Sequence, residues 1–219
     1  MIWMAMLNVV AAAAPGEATL DTPIERAFAS CAPYATHAPP TLDARDLRRL
    51  REGEVVQVLE RGKGSAPSAA VGIVLADASV TEAWLACQGP HAEPGENPEF
   101  LVQELPRHQA IWYGYVHLPW PLKDRQYVVK SRANISMANA TGNRCWEHAW
   151  KEFPQALEDV RPMVAKAPIE GITPAHLDQA VVTSWNRGSW LLAAVDDEHV
   201  LIMFQASLVV DGSIPDWIV

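Results

Sequence analysis

Basic side chains are in short supply: 17 Lys and Arg stand against 26 Asp and Glu, a formal net charge of −9 over 219 residues. Nucleic acids are held by concentrated basic surfaces, so this shortage argues against such a partner. It equally disfavours lasting electrostatic docking on anionic lipid. Cysteine is rare as well. Cys31, Cys87 and Cys145 have no CxxC or other metal-ligand spacing, and an odd number cannot pair completely, so at most one internal disulfide forms. An oxidising compartment would allow Cys31 to pair with Cys87; three buried free thiols are an equal alternative. Long apolar runs are missing too. Only the opening stretch, MIWMAMLNVVAAAAPGEA, approaches one, and it is shorter than the ~20 residues that span a bilayer. Finally, the chain has no G-x-S-x-G, no H-E-x-x-H, no Walker loop and no G-x-G-x-x-G between strand and helix. Gly62-Lys63-Gly64-Ser65 does not serve as a phosphate loop, because a strand pattern rather than a helix follows it. No catalytic residue set, metal site or cofactor is therefore expected.

What is present describes a folded protein. Hydrophobic residues make up 49% and charged residues 20%, values that argue against disorder, and the length suits one domain with a sizeable core. Nine tryptophans are the unusual feature: each is a large apolar surface with a single N–H, suited to a core or a hydrophobic pocket. Residues 1–18 read as a signal peptide cut near Ala14 or Ala18, although no Lys or Arg precedes the apolar run. The expectation is a periplasmic or secreted protein, with a cytoplasmic one as the alternative. The sequons at Asn134 and Asn139 lie in what reads as a hairpin loop.

Along the chain, residues 22–32 (TPIERAFASCA) are amphipathic, and His37-Ala38-Pro39-Pro40 breaks them off, which gives residues 19–41 as an N-terminal helix and linker. LDARDLRRLREG places Leu42, Leu47 and Leu50 among charges and stops at Gly53, a short helix with a glycine terminator. The period then switches. Residues 54–60 and 69–75 read as strands, and Ser79 with Glu82 three residues later caps a helix running to Cys87. After the loop GPHAEPGENP, strand character recurs at 100–105, 110–118, 127–133, 144–150, 179–185, 190–195 and 199–210. Asn186-Arg187-Gly188 predicts a tight turn between two of these strands, and Asp196-Asp197-Glu198 another. Residues 153–177, with prolines at 154, 162, 168 and 174, predict a long excursion with at most short helices.

These pieces resemble a known family. HLPWPLKDRQYVVKSR, residues 117–132, resembles the START-family strand pair in which a Pro-rich turn leads into an Arg-containing strand. GSWLLAAVDDEHVLIMFQASLVVDGSIPDWIV, residues 188–219, resembles the family's last two strands and the Gly-x-Ile-Pro entry into its closing helix. With the helix-strand-strand-helix opening, the resemblance to a START-like (StAR-related lipid transfer) domain covers residues 42–219. It implies an α+β helix-grip fold, a curved antiparallel sheet of about seven to nine strands around an apolar cavity with short N-terminal helices. Family members continue for several helical turns past the Pro-x-x-aromatic entry, whereas this sequence stops at Val219, so a truncated closing helix and a fragment are expected.

The resemblance implies binding or transfer of a lipid or other hydrophobic small molecule, with transient membrane contact and, at full length, a monomer. A cyclase- or hydrolase-type enzyme using the same cavity is the alternative. Sterol-carrying relatives place an acidic residue and an Arg in the cavity; the matching positions here are Trp112 and Ser131, which implies a more apolar, aromatic pocket. Strand alternation puts Trp112, Gly114, Val116 and Leu118 on the inner face and Tyr113, Tyr115 and His117 on the outer one. Tyr127, Val129 and Ser131 share a face of the next strand, and Trp146, His148 and Trp150 share one in RCWEHAW. Trp190 and Phe204, from the last two strands, complete the expected ligand-binding set. His148 could act as a pocket acid or base, or as a structural hydrogen-bonder. Asp124 and Arg125 read as a solvated ion pair at the cavity rim, and with His148 they are the polar candidates of the enzyme alternative.

Overall fold

A computed structural model describes residues 21–62, 64, 66–88 and 97–209; the signal-peptide reading of residues 1–18 and the closing-helix entry after residue 209 lie outside them. Two helices come first, α1 (Asp21–Cys31) and α2 (Ala44–Arg51), then β1 (Val56–Glu60), β2 (Ala69–Asp77) and α3 (Val80–Ala86). β3 (Glu99–Leu105), β4 (Gln109–Val116) and β5 (Arg125–Ala133) lead to α4 (Ile135–Ala140) and β6 (Cys145–Glu152). α5 (Leu157–Lys166), α6 (Pro174–Gln179), β7 (Val181–Val182), β8 (Trp185–Ala194) and β9 (His199–Val209) complete the order. The strands form one sheet in the order β1-β2-β9-β8-β6-β5-β4-β3, with β7 beside β5. The β1–β2, β2–β9, β3–β4 and β4–β5 pairs are antiparallel, whereas β7 runs parallel to β5.

Local chemistry accounts for the helix ends. Asp43 accepts the N–H groups of Arg45 and Asp46 at 2.8 Å, and Asp46 accepts the Asp43 N–H in return, so α2 starts in a capping box. Its apolar stripe is Leu47 and Leu50, both buried, and Gly53, at a φ of 75°, ends it where a side chain would be strained. Ser79 and Glu82 cap α3 reciprocally, as their spacing predicts.

The chain divides into two compact units, each with its own core. The first takes in the described residues through 88 together with Ala133–Ala149 and Gly188–Ala206. Ile24 and Phe28 of α1 and Leu47 and Leu50 of α2 pack with Val71 and Ile73 of β2, Leu191 of β8, and Leu201 and Met203 of β9. A disulfide joins Cys31 at the end of α1 to Cys145 at the start of β6, with Cα atoms 5.7 Å apart. This corrects the expected Cys31–Cys87 pairing: Cys87, after α3, is a free thiol whose pKa burial pushes up to about 11. The reason lies two residues further along β6. The wholly buried Glu147 carboxylate accepts the Thr36 N–H, the Thr36 hydroxyl and the Asn134 amide, each at 2.8 Å. These bonds hold the segment after α1 against β6, which brings Cys31 to Cys145 and not to Cys87. The expected hairpin loop at 134–141 is instead α4, started by the Asn134 side chain accepting the Met137 N–H and anchored by buried Met137 and Ala138.

The second unit takes in the described residues from 97 to Arg132 together with Trp150–Arg187 and residues 207–209. One face of β3–β5 presents Phe100, Ile111, Tyr113, Tyr115 and Val128 to Ala156, to Val160 and Val164 of α5, and to Leu177 of α6. Tyr113 and Tyr115, expected on an outer face, are thus 0% and 2% exposed, because the proline-rich excursion folds back over them as two short helices. The predicted turn at Asn186-Arg187-Gly188 is strand. Trp150 Nε1–H donates to Asn186 Oδ1 at 2.9 Å, and Arg187 Nε–H donates to both Glu152 carboxylate oxygens at 2.9 and 3.0 Å, so partners on β6 override the local turn preference.

Candidate functional site

In the first unit the strand faces collect aromatic rings. Along β6, Cys145, Glu147 and Ala149 are buried on one side, which leaves Trp146 and His148 on the other. Trp84 of α3 meets both, its ring centroid 4.8 Å from that of Trp146 and 6.2 Å from that of His148. Trp146 Nε1–H donates to the Asn143 carbonyl at 3.2 Å, which satisfies its one polar atom. Trp190 of β8 and Phe204 of β9 form a second pair, centroids 4.6 Å apart and planes tilted by 55°. Trp84 was not among the expected residues. Its capped helix was legible from Ser79 and Glu82, but nothing in the local pattern said which strand that helix would cover.

In the second unit, Trp112 on β4 lies between Leu101 of β3 and Val129 of β5 in the strand register. Ser131, buried, faces Ala110 and reaches its carbonyl at 3.5 Å. Trp150 is tethered to Asn186. Tyr127 stands opposite Gly114, which stands opposite Glu99, so the three form one row across β5, β4 and β3. A Cβ at Gly114 would coincide with the end of the Tyr127 ring and its hydroxyl; the missing side chain is what lets that ring lie over β4. Burial pushes the Glu99 carboxyl up to about 7, and it pushes the Tyr127 phenol well above its ordinary value, helped by the charge of Glu99.

The polar candidates play other parts. Asp124 accepts the Tyr115 O–H at 2.8 Å, the Leu118 N–H at 2.9 Å and a contact from His117 Nδ1 at 3.2 Å. Burial pushes this carboxyl up, but those donors outweigh it and hold the group below the usual carboxylate value. Arg125 is 4% exposed, not solvated, and donates to the Lys123 carbonyl. The reading of Asp124 and Arg125 as a solvated rim pair is therefore corrected: the aspartate clips the 117–124 loop to Tyr115. His148 belongs to the first unit and Asp124 and Arg125 to the second. Among the described residues no three His, Cys, Asp or Glu converge to hold a metal ion, and no helix is long and apolar enough to cross a membrane.

No protein-family model matches the chain, and no curated protein matches it. Among solved structures, a fragment of the STAR-related lipid transfer protein from Xanthomonas axonopodis is similar over 81% of this chain and 85% of that one, at 18% identity and a TM-score of 0.53. Human STARD10 is 12% identical over 84% of this chain and 75% of its own, with a TM-score of 0.48. The Zhui aromatase/cyclase from Streptomyces sp. R1128 is 10% identical over 68% and 71%, with a TM-score of 0.42. The first of these likenesses, with the strand order above, gives the chain a START-like α+β fold.

Proposed function

We propose that this protein binds a hydrophobic small molecule, a lipid or another apolar compound, and carries it between membranes or partners. The observation that carries the reading is the START-like fold, which a STAR-related lipid transfer protein also has. The strand faces support it: they present Trp146 with Trp84, Trp190 with Phe204, and Trp112 beside Val129. Apolar surface of this kind gains about 25 cal/mol for each Å² removed from water, before the costs of association are deducted. Tryptophans on these faces also make binding visible. Titration of the full chain with the neutral apolar dye Nile red is expected to give saturable, one-to-one binding with quenching of tryptophan emission. Emission unchanged up to the dye's solubility limit would count against the reading.

Export to the periplasm or the cell exterior belongs to the same proposal. A disulfide between Cys31 and Cys145 is at home in an oxidising compartment, and residues 1–18 have the composition of a signal peptide. The intact mass of the native protein tests this. A mature N-terminus after Ala14 or Ala18 supports export, and an unprocessed, fully reduced chain contradicts it.

A further inference from the structure

The net charge of −9 is unevenly spread. Among the described residues of the second unit nine Lys and Arg stand against eight Asp and Glu, and several of the cations gather at one end of its strands. The Phe153 N–H donates to the Val128 carbonyl at 2.7 Å, and the Asn134 N–H to the Glu147 carbonyl at 2.8 Å. A single antiparallel register of β5 and β6 satisfies both bonds, and it sets Lys130 directly opposite Lys151. Along the other edge of β5, Lys130 stands opposite Ile111 and Arg132 opposite Gln109 of β4. Lys130, Arg132 and Lys151 therefore share one face. Gln109 follows directly on Arg107 and His108, both exposed in the β3–β4 turn, so that turn brings a further cation to the same end.

Like charges directly opposite each other on neighbouring strands are destabilising, and no acid relieves these. Arg107, Lys130, Arg132 and Lys151 have no carboxylate partner among the described residues; Lys130 instead lies over the Phe153 ring, 5.8 Å from its centroid. The unit's acids are engaged or turned away. Asp178 pairs with Arg161, Glu152 with Arg187, and Asp124 clips its own loop to Tyr115. Glu99 and Glu104 stand opposite Gly114 and Ala110, on the other face of β4 from Ile111. Glu158 lies in the field of Arg161, and Asp159 and Glu170 are exposed on α5 and in the loop before α6.

Resting on the carrier reading, which brings the protein to membranes, we propose that this face, Lys130, Arg132 and Lys151 with Arg107 at the turn, docks on a bilayer surface that carries anionic lipid. Anionic head groups would supply the counter-charge that the fold withholds from the opposed lysines. The cations stand side by side on a sheet face, an arrangement matched to a surface of many dispersed head groups. An ammonium is a hydrated point charge on a flexible stem, which fits such diffuse attraction better than fixed paired recognition. The net charge of −9 does not forbid this contact. At physiological salt, charges more than about 8 Å away are largely screened, so the local balance decides a brief encounter.

The test is co-sedimentation of the full chain with vesicles of phosphatidylcholine alone, or with about one third phosphatidylglycerol, at low and at physiological salt. Each Lys or Arg close to an anionic surface is worth about fivefold in affinity. The mixed vesicles are therefore expected to bind roughly tenfold or more tightly than phosphatidylcholine at low salt, with salt eroding the difference. Lys130→Gln combined with Lys151→Gln should remove most of that preference. Arg45→Gln combined with Arg48→Gln, at exposed positions of α2, changes the net charge equally and should leave binding within about twofold. Equal binding to both kinds of vesicle would overturn the inference. So would equal losses from the two double variants, which would make net charge rather than this face the cause. Lys151→Gln alone relieves the repulsion of Lys130 and should leave the melting temperature unchanged or higher; a fall would mean that Lys151 serves a partner within the fold. Nile red bound by a protein that ignores anionic vesicles overturns this inference alone, whereas Nile red not bound at all overturns the carrier reading on which it rests.

Discussion

At the scale of single residues, Gly114 stands where a methyl group would meet the Tyr127 ring. Gly114→Ala must therefore push the ring off β4, and overpacking of this kind costs about 1–2 kcal/mol. Urea denaturation should record that loss, and adding Tyr127→Ala should recover part of it, because the two changes act on one contact. Additive losses would mean that the ring does not occupy the space. Glu99 gives a second expectation. Its folded pKa of about 7 lies above the ordinary value of 4.5, so ionisation favours the unfolded chain. The contribution of Glu99 is thus intact in acid and lost as pH rises through about 7, by at most about 3 kcal/mol, a ceiling since the side chain retains some solvent contact. Replacing Glu99 with Gln should flatten the fall in stability between about pH 4.5 and about pH 7, and unchanged pH profiles would refute the assignment. Little of this was legible in the sequence. Alternation put Trp112, Gly114 and Val116 on one side of β4, but the alignment of Glu99 and Tyr127 on either side of Gly114 depends on register, which the turns at 106–108 and 117–124 set.

Elements were easier to read than their partners. The capping residues of α3, the Gly53 terminator of α2 and the strands from β3 to β6 follow from local pattern, since caps and period-two alternation are written into neighbouring residues. Failures occurred where a distant group decided. Asn186 and Arg187 belong to a strand because Trp150 and Glu152 claim their side chains, and Tyr113 and Tyr115 are core because α5 and α6 cover them. The disulfide is the same lesson at longer range: 114 residues separate Cys31 from Cys145, and only the bonds of Glu147 to Thr36 and Asn134 reveal why they meet. Closing a loop of that length restricts the unfolded chain, worth roughly 4–5 kcal/mol on the chain-entropy view. Cys145→Ser should accordingly lower the melting temperature by roughly 10 °C, and reducing agent should do the same to the unmodified protein but not to the variant. An equal effect of reductant on both would show that the bridge contributes nothing.

For the whole molecule, the START-like resemblance read from residues 117–132 and 188–219 agrees with the fold observed. Scarce basic charge argues against a nucleic-acid partner, and nine tryptophans suit a core or a hydrophobic pocket. Within the first unit Trp84 meets Trp146 and Trp190 meets Phe204, and within the second Trp112 stands beside Val129 in the strand register. The identity of the ligand is not written in local pattern, because it depends on how side chains from separated strands combine. Native mass spectrometry of the full chain purified without detergent, followed by solvent extraction, tests the central reading most directly. A stoichiometric apolar adduct that is released on denaturation is the expected result; a folded protein that carries no adduct and takes up none from a mixed lipid extract would contradict it.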